Sequence, residues 1–596
     1  MAAELTKRFT RSAEGARVQL LLEDDLAVVD RDVDVIALPD VEGPADLGWQ
    51  DDATEIVYFS AHAGGFQRSP SDRSWKAIIA PDRLREQMSD PFYITTPIYY
   101  VNDVPHIGHA YTTVAADAAA RYHRLAGDRT YFLTGTDEHG QKVERAAREH
   151  GMSPKEWTDS MIPSWRAVWS NLDVSYDDFI RTTEERHETP VKAFIQHLYD
   201  KGEIYLGEYE GPYCIHCEQF YLESELVDGN CPIHGIPVER LKEPNYFFRQ
   251  SAQADWLLND YYARTPPPVR PEARLNEVIG LVRQGLQDVS VSRPSLEWGI
   301  PLPWQPSHVI YVWIEALQNY ITALGYPDGE LFKTFWPGVH LVGKDILRFH
   351  AVTWPAMLHA AGEEPPSLVF AHGWLLVKGE KMSKTKLTGI HPDELLRTFG
   401  VDAYRYYFLR EIAFGQDGSF SWESMVARYN ADLANGLGNL ASRVLSMIVS
   451  YFDGVVPEPG PDAGQGALQR AVADALPPYR AGMESFAFHE SLDAAFGIVR
   501  GANAFIVATA PWNLAKDPAQ RGLLGSVLWA SGEALRALAI LLSPVMPGVC
   551  DRLWRQLGIA SPLVDQRLDA ATWGGLEPGT RVSKGDGLFP RISEPA

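Results

Sequence analysis

Four cysteines in 596 residues are too few for a disulfide framework, and three of them fall within Cys214–Cys231. That sparsity suits a reducing compartment with room for one metal site. No apolar run reads as the roughly 20 residues needed to cross a bilayer. The N-terminus lacks the basic-then-apolar pattern of a secretory signal. Basic residues are the minority, 54 Lys+Arg against 78 Asp+Glu, for a net charge of −24. Indiscriminate polyanion binding is thereby excluded, but a local basic groove can sit on an acidic protein, so a nucleic-acid partner stays open. Repeats and low-complexity tracts are missing as well. What remains is ordinary globular composition, 45% hydrophobic and 22% charged. At roughly 100–200 residues per domain the length implies three or four domains.

Residues 1–87 are acidic, with 10 Lys+Arg against 17 Asp+Glu. Their short apolar pieces predict strands at Val18–Leu22, Ala27–Val29 and Glu55–Phe59, and Gly64–Ser74 reads as loop. They carry no catalytic constellation. Met88-Ser89-Asp90 directly precedes the first convincing strand, so residues 1–87 are either a small extra domain or sequence upstream of a true start at Met88. From Phe92 the pattern alternates: strand Phe92–Thr95, helix Ala110–Leu125, strand Thr130–Leu133, helix Gln141–His150. Such alternation predicts a parallel α/β sheet. A cysteine-bearing insertion and a Pro-rich loop at Pro266–Pro271 interrupt it, and strands resume at His308–Trp313 and Val339–Val342. From about Ala427 the helical patterns Leu433–Tyr451, Ser491–Ala508 and Leu523–Leu542 predict a bundle.

Three stretches carry chemistry. In "VPHIGHAY", His106 and His109 lie three apart at a predicted helix start, where N–H groups are unpaired and the dipole is positive. Both rings can face one side of the first turn, and Gly108 removes a side chain where a nucleotide would approach. Alone, the pair also reads as a metal site or an incidental helix start. In "VKGEKMSKTKLTG", Lys378, Lys381, Lys384 and Lys386 crowd a short segment with Gly379 and Gly389. Flexible glycines and ammonium point charges suit a loop closing on a polyphosphate. By itself such a run is more often a solvated loop. In "GPYCIHCEQFY" and "CPIHG", Cys214-x-x-Cys217 and Cys231-x-x-His234 are separated by thirteen residues. Three thiolates and an imidazole at that spacing predict a closed tetrahedral zinc knuckle, structural because no position stays open to water.

Together, the His-x-Gly-His and Lys-Met-Ser-Lys segments resemble the class I aminoacyl-tRNA synthetases. The knuckle, and the blocks "TTPIYYVNDVPHIGHAYT", "GTDEHGQKV", "YVWIEALQNY", "LVGKDILRFH" and "GNLASR" in this order, resemble the methionyl-tRNA synthetase family from about Met88 to the end. Thr385 stands where that family's motif ends in serine and keeps the hydroxyl. The resemblance implies an extension of unknown role at 1–87 and a Rossmann-type catalytic domain in two halves, 88–204 and 308–375. Between them lies a connective insertion, 205–307, with its knuckle at 214–234. It further implies a stem-contact region with the lysine loop, 376–426, and an all-α anticodon-binding domain, 427–596.

The implied reaction joins methionine to the 3′-terminal adenosine of tRNA(Met), initiator tRNA included, through a methionyl-adenylate formed from ATP. The resemblance implies that His106, Gly108, His109, Lys381 and Lys384 handle the ATP phosphates with Mg²⁺, and that Gly343 and Asp345 hold the adenosine. The implied methionine pocket is Ile98, Tyr100, Trp313, Ala316, Tyr320, Ile346 and His350, with Asp137 taking the substrate ammonium. Asn439, Arg443 and Trp512 are the implied anticodon readers. One structural Zn²⁺, a cytoplasmic location, no membrane partner and a monomer complete the expectation. No large editing domain is visible between Tyr205 and His308, so discrimination rests mainly on the synthetic site. A sister class I enzyme, a small-molecule nucleotidyltransferase and a non-catalytic tRNA-binding relative are the rival readings.

Overall fold

The structure, a computed structural model, describes residues 18–22, 25–31, 67–68, 75–76 and 90–592, except 217–218, 222–225, 295, 378–379, 382–389, 461 and 463. Lys378, Gly379, Lys384, Thr385, Lys386, Gly389, Cys217 and the strand expected at Glu55–Phe59 lie outside the described residues. The chain forms two compact units, Met1–Asp90 and Pro91–Ala596. In the first, Val18–Leu22 pairs antiparallel with Asp25–Arg31, and Gln67–Arg68 pairs with Trp75–Lys76. The latter pairing falls partly in the stretch expected to be loop.

The second unit is built on a seven-stranded sheet in which every pairing is parallel. Its order is Val269–Arg270, Leu368–His372, Val339–Gly343, Pro91–Thr95, Arg129–Asp137 and Tyr99–Tyr100, with Asp178–Arg181 also pairing Arg129–Asp137. Parallel strands need crossovers and are buried on both faces; the helix Ile107–Ala126 supplies one cover, with Ala110, Val114, Ala115, Ala118 and Ala119 buried. Strand order reverses where Val339–Gly343 meets Pro91–Thr95. In open α/β sheets ligands bind beyond the carboxyl ends of the strands at such a switch point.

Two expectations, one of a strand and one of a loop, are corrected. His308–Trp313 does not continue the parallel sheet. The strand is Gln305–Ile310, in an antiparallel sheet with Ser292–Arg293 and Pro301–Leu302, and Val312–Ala316 is helix. The β-favouring Val-Trp-Ile run is overridden by burial of Ile314 and Glu315. The Pro-rich loop also contributes an edge strand, Val269–Arg270; an edge position tolerates neighbouring prolines.

The insertion is an antiparallel ladder, Ile204–Cys214 against Glu239–Phe248. The C-terminal region is helical. A π-helical stretch, Tyr429–Gly438, runs into Asn439–Phe452, and Gly466–Glu484, Phe488–Thr509 and Arg521–Leu542 pack around a Leu- and Ala-rich core. Contrary to the expectation of no membrane-length run, Phe488–Leu514 and Pro518–Leu542 are long and apolar enough by composition to cross a bilayer. The second is 89% buried, as the central helix of a bundle must be. Frequent alanines keep it apolar without a conspicuous run of large side chains.

Candidate active site

The helix Ile107–Ala126 starts beyond the first strand of the sheet, with His106 as its N-cap. The Gly108 N–H donates to His106 Nδ1 at 3.1 Å, and the His106 N–H donates to His109 Nδ1 at 3.2 Å. Both Nδ1 atoms therefore accept, which puts the proton of each neutral ring on Nε2. The two rings stack with centroids 3.8 Å apart, and His109 is flanked by Tyr99 and Trp165. The expectation of unpaired first-turn N–H groups is corrected here. The Gly108 N–H is capped, and the Ile107 N–H donates to the Ile390 carbonyl at 3.0 Å. The donors this turn can aim at an anion are its imidazoles.

Ile390 immediately follows the lysine segment in the chain, so the residue next to that segment is tied to the first turn of the histidine helix. The strand Leu375–Val377 enters that segment, pairing antiparallel with Glu380–Lys381 and parallel with Gly418–Phe420. The backbone of Lys381 is thereby placed opposite Leu376. Thr112 donates to His372 Nε2 at 2.7 Å, a second tie between the histidine helix and the far half of the sheet.

Gly343 ends the strand Val339–Gly343, next to the histidine-bearing crossover. A Cβ on it would lie 2.7 Å from Asp345 Oδ1. Asp345 is exposed and accepts from Trp374 Nε1 at 3.3 Å. Lys344 pairs with Asp417 at 2.7 Å beneath the Trp374 ring.

The expected methionine-site aromatics converge. Trp313 stacks flat on Phe349 at 4.3 Å, and Tyr100 and His350 meet it edge-on, each at 6.4 Å. His350 sits in a short π-helical turn, Phe349–Thr353. Its Nδ1–H donates to the Ile346 carbonyl at 3.0 Å, so Nε2 accepts from the Tyr320 hydroxyl at 2.7 Å. Burial pushes the His350 pKa down to about 4, which keeps the ring neutral. Ile98 and Ile346 are half-buried beside the same cluster, and Ala316 is buried one turn along the helix from Trp313. Asp137, at the end of Arg129–Asp137, is the register partner of Tyr100.

Sequence reasoning missed several groups here. Phe349 was hidden beside His350 in "LRFH". Lys142 rests its ammonium 4.5 Å over the Tyr100 ring. Glu138 is buried, with Arg181 donating to it at 2.7 and 2.9 Å. Glu315 is wholly buried and accepts from His139 Nδ1 and His187 Nε2, each at 3.0 Å. Charged residues inside apolar blocks were the available signal, since an acid is almost never fully buried unless paired.

In the insertion, Cys214 Sγ, Cys231 Sγ and His234 Nδ1 lie within 4.8 Å of one another, with His234 Nδ1 4.0 Å from Cys214 and 3.7 Å from Cys231. Ligands at Zn–S ~2.3 Å and Zn–N ~2.0 Å in a tetrahedron are themselves roughly 3.5 Å apart, so the group fits a zinc ion with little adjustment. Both cysteines are buried. In the helical region, the Arg443 guanidinium lies 5.7 Å over the Trp512 ring, which is 40% exposed. Asn439 is exposed one turn before Arg443 on the same helix.

The family model for tRNA synthetases class I (M) matches residues 92–240 and 235–445. The chain is 52% identical to the methionine–tRNA ligase of Streptomyces coelicolor over 539 residues, covering 87% of this chain and 99% of that one. The chain belongs to the methionyl-tRNA synthetase family. Against the methionine–tRNA ligase of Bacillus subtilis the identity is 45%, over 85% of this chain and 78% of that one. The methionyl-tRNA synthetase of Mycobacterium tuberculosis in complex with methionyl-adenylate superposes with a TM-score of 0.81 at 43% identity, covering 84% of this chain and all of that one. As in that family, a class I α/β catalytic sheet precedes a helical C-terminal region.

Proposed function

We propose that this methionyl-tRNA synthetase family member activates methionine with ATP and transfers it to tRNA(Met), and that the crevice at the strand-order switch does both. In the first step a methionine carboxylate oxygen attacks the α-phosphorus, forming methionyl-adenylate, and the bond to pyrophosphate breaks. His106 and His109 donate Nε2–H bonds to the phosphate oxygens as charge grows on them. Lys381 and Lys384 neutralise the departing pyrophosphate, and Mg²⁺ supplies further charge neutralisation when bound with ATP. Gly343 lets the adenosine approach the backbone, and Asp345 accepts from ribose hydroxyls. Asp137 receives the ammonium. The thioether lies among Tyr100, Trp313 and neutral His350, faces that suit a polarizable sulfur. In the second step the 2′-hydroxyl of the terminal adenosine attacks the carbonyl carbon and AMP leaves.

Cys214, Cys217, Cys231 and His234 would hold a zinc ion that fixes the insertion's loops and takes no part in bond changes. Arg443 and Trp512 offer stacking faces, and Asn439 an edge donor and acceptor, to unpaired anticodon bases. The observation that carries the reading is the Ile107–Ile390 bond, which ties the first turn of the histidine helix to the residue after the lysine segment. Incubation with ATP, methionine and a tRNA(Met) transcript, followed by mass spectrometry of the 3′ nucleotide, should reveal methionyl-adenosine. An uncharged transcript under conditions that form adenylate would confine the activity to the first step.

A further inference from the structure

Glu315 lies where two walls of the proposed methionine slot meet. One wall is the end of the strand Arg129–Asp137 and the residues after it, Glu138 and His139. The other is the helix Val312–Ala316, which carries Trp313 and Ala316. The wholly buried carboxylate spans them: one oxygen accepts from His139 Nδ1 and the other from His187 Nε2, both at 3.0 Å. His187, on the helix Glu185–Asp200, continues through Nδ1 to the Thr322 hydroxyl at 2.8 Å, two residues beyond Tyr320. Trp298 closes the other side of the loop, donating from Nε1 to the Glu138 carbonyl at 2.6 Å and accepting from the Gly140 N–H at 3.3 Å. The loop beside Asp137 is thus held on both flanks.

Well-packed apolar residues often serve stability as well as a buried ionisable cluster does, or better. Directional bonds instead fix distance and register, and here they fix the helix of Trp313 and Ala316 against the loop beside Asp137. We propose that Glu315 is a positioning residue that sets the width of the methionine slot, and so tunes selection of an unbranched thioether over a longer homologue. The inference rests on the methionine reading above. An apolar pocket discriminates one methylene by roughly 10- to 200-fold at best, so a small loosening of this clamp is visible in selectivity.

The test is pyrophosphate exchange with methionine and with ethionine, one methylene longer, for the full-length wild type, Glu315→Gln and His139→Asn. Asn keeps a donor near the Nδ1 position and removes the rest of the ring. Each variant's unfolding temperature is recorded alongside. The clamp predicts that Glu315→Gln raises the methionine KM about tenfold, leaves the ATP KM within about twofold, and shrinks the methionine-over-ethionine preference at least fivefold, an effect on the scale of one methylene. His139→Asn gives the same split more weakly, and decides the matter alone if Glu315→Gln does not fold. Unchanged selectivity in the folded variants, or equal loss for both amino acids, overturns the clamp. A wild type inactive with methionine overturns the methionine reading, and the clamp with it.

Discussion

The N–H of Ile107 donates to the carbonyl of Ile390 at 3.0 Å, tying the first turn of the histidine helix to the residue that follows the lysine segment. Residues almost 300 positions apart in the chain thus meet at the N-terminus of that helix. The same bond removes a backbone donor from the proposed anion site and leaves two imidazoles in a defined tautomer as its donors.

That tautomer makes a prediction. His106→Ala and His109→Ala should each slow adenylate formation about 100-fold or more, the scale of losing one transition-state donor, with the methionine KM within about threefold of wild type. Glutamine, which keeps an N–H near the Nε2 position, should recover part of the rate. Stopped-flow adenylate formation checks both; a KM effect without a rate effect would place the rings in ground-state binding instead.

The thiolate cluster predicts a metal. Plasma emission spectrometry of the purified chain should find about one zinc per chain, as a closed site of this kind holds one ion. Chelation should release it and expose Cys214 and Cys231 to thiol reagents. Cys231→Ser should lower metal content and loosen the insertion, read as faster proteolysis between residues 205 and 248.

Arg405 predicts how the helical region is joined to the catalytic sheet. Fully buried, it donates to Asp117 Oδ2 on the histidine helix, to the carbonyls of Leu172 and Asp173, and to those of Pro544 and Val545 before the helix Pro547–Gln556. Burial alone would raise the Asp117 pKa, but Arg405, Arg121 and the bonds from Ser175 hold it down at about 2. Its pKa is depressed, so its contribution to stability is present above the ordinary carboxylate range and is lost as pH falls through about 2. Arg405→Leu removes the buried partner of that carboxylate, leaves it only Arg121 and the Ser175 donors, and should cost up to about 3–5 kcal/mol. Chemical denaturation at neutral pH measures the loss. The deficit should narrow on acidification as Asp117 protonates in the variant.

The proposed anticodon role of Trp512 predicts a separation of the two steps. Trp512→Ala should leave methionine-dependent pyrophosphate exchange within about twofold of wild type. It should weaken tRNA charging by roughly 10- to 100-fold, the equivalent of 1–3 kcal/mol for a lost base stack. Charging at the wild-type rate would remove Trp512 from the anticodon site.

Sequence patterning made the α/β class, the first strands and helices, and the three motifs legible, because each depends on short-range spacing. The strand Pro91–Thr95 and the helix Ile107–Ala126 extend the expected Phe92–Thr95 and Ala110–Leu125 by only a few residues. Illegible features depended on distant partners. Val312–Trp313 read as strand because the helix there is set by burial of Ile314 and Glu315 against distant elements. The Ile107 N–H read as available because Ile390 lies so far away in sequence. Glu315 read as an unremarked acid inside "VWIEAL" because its partners, His139 and His187, come from other elements. Ser491–Ala508 and Leu523–Leu542 read as helices, but their membrane-length apolar character went unread because alanine spreads it over many residues.

The most direct test of the account is pyrophosphate exchange into ATP with each standard amino acid offered in turn. Methionine should drive exchange and the other amino acids should give rates at least about 100-fold lower, on the scale at which apolar pockets discriminate near neighbours. Exchange with a different amino acid, and none with methionine, would contradict the assignment of the slot formed by Tyr100, Trp313, Tyr320 and His350.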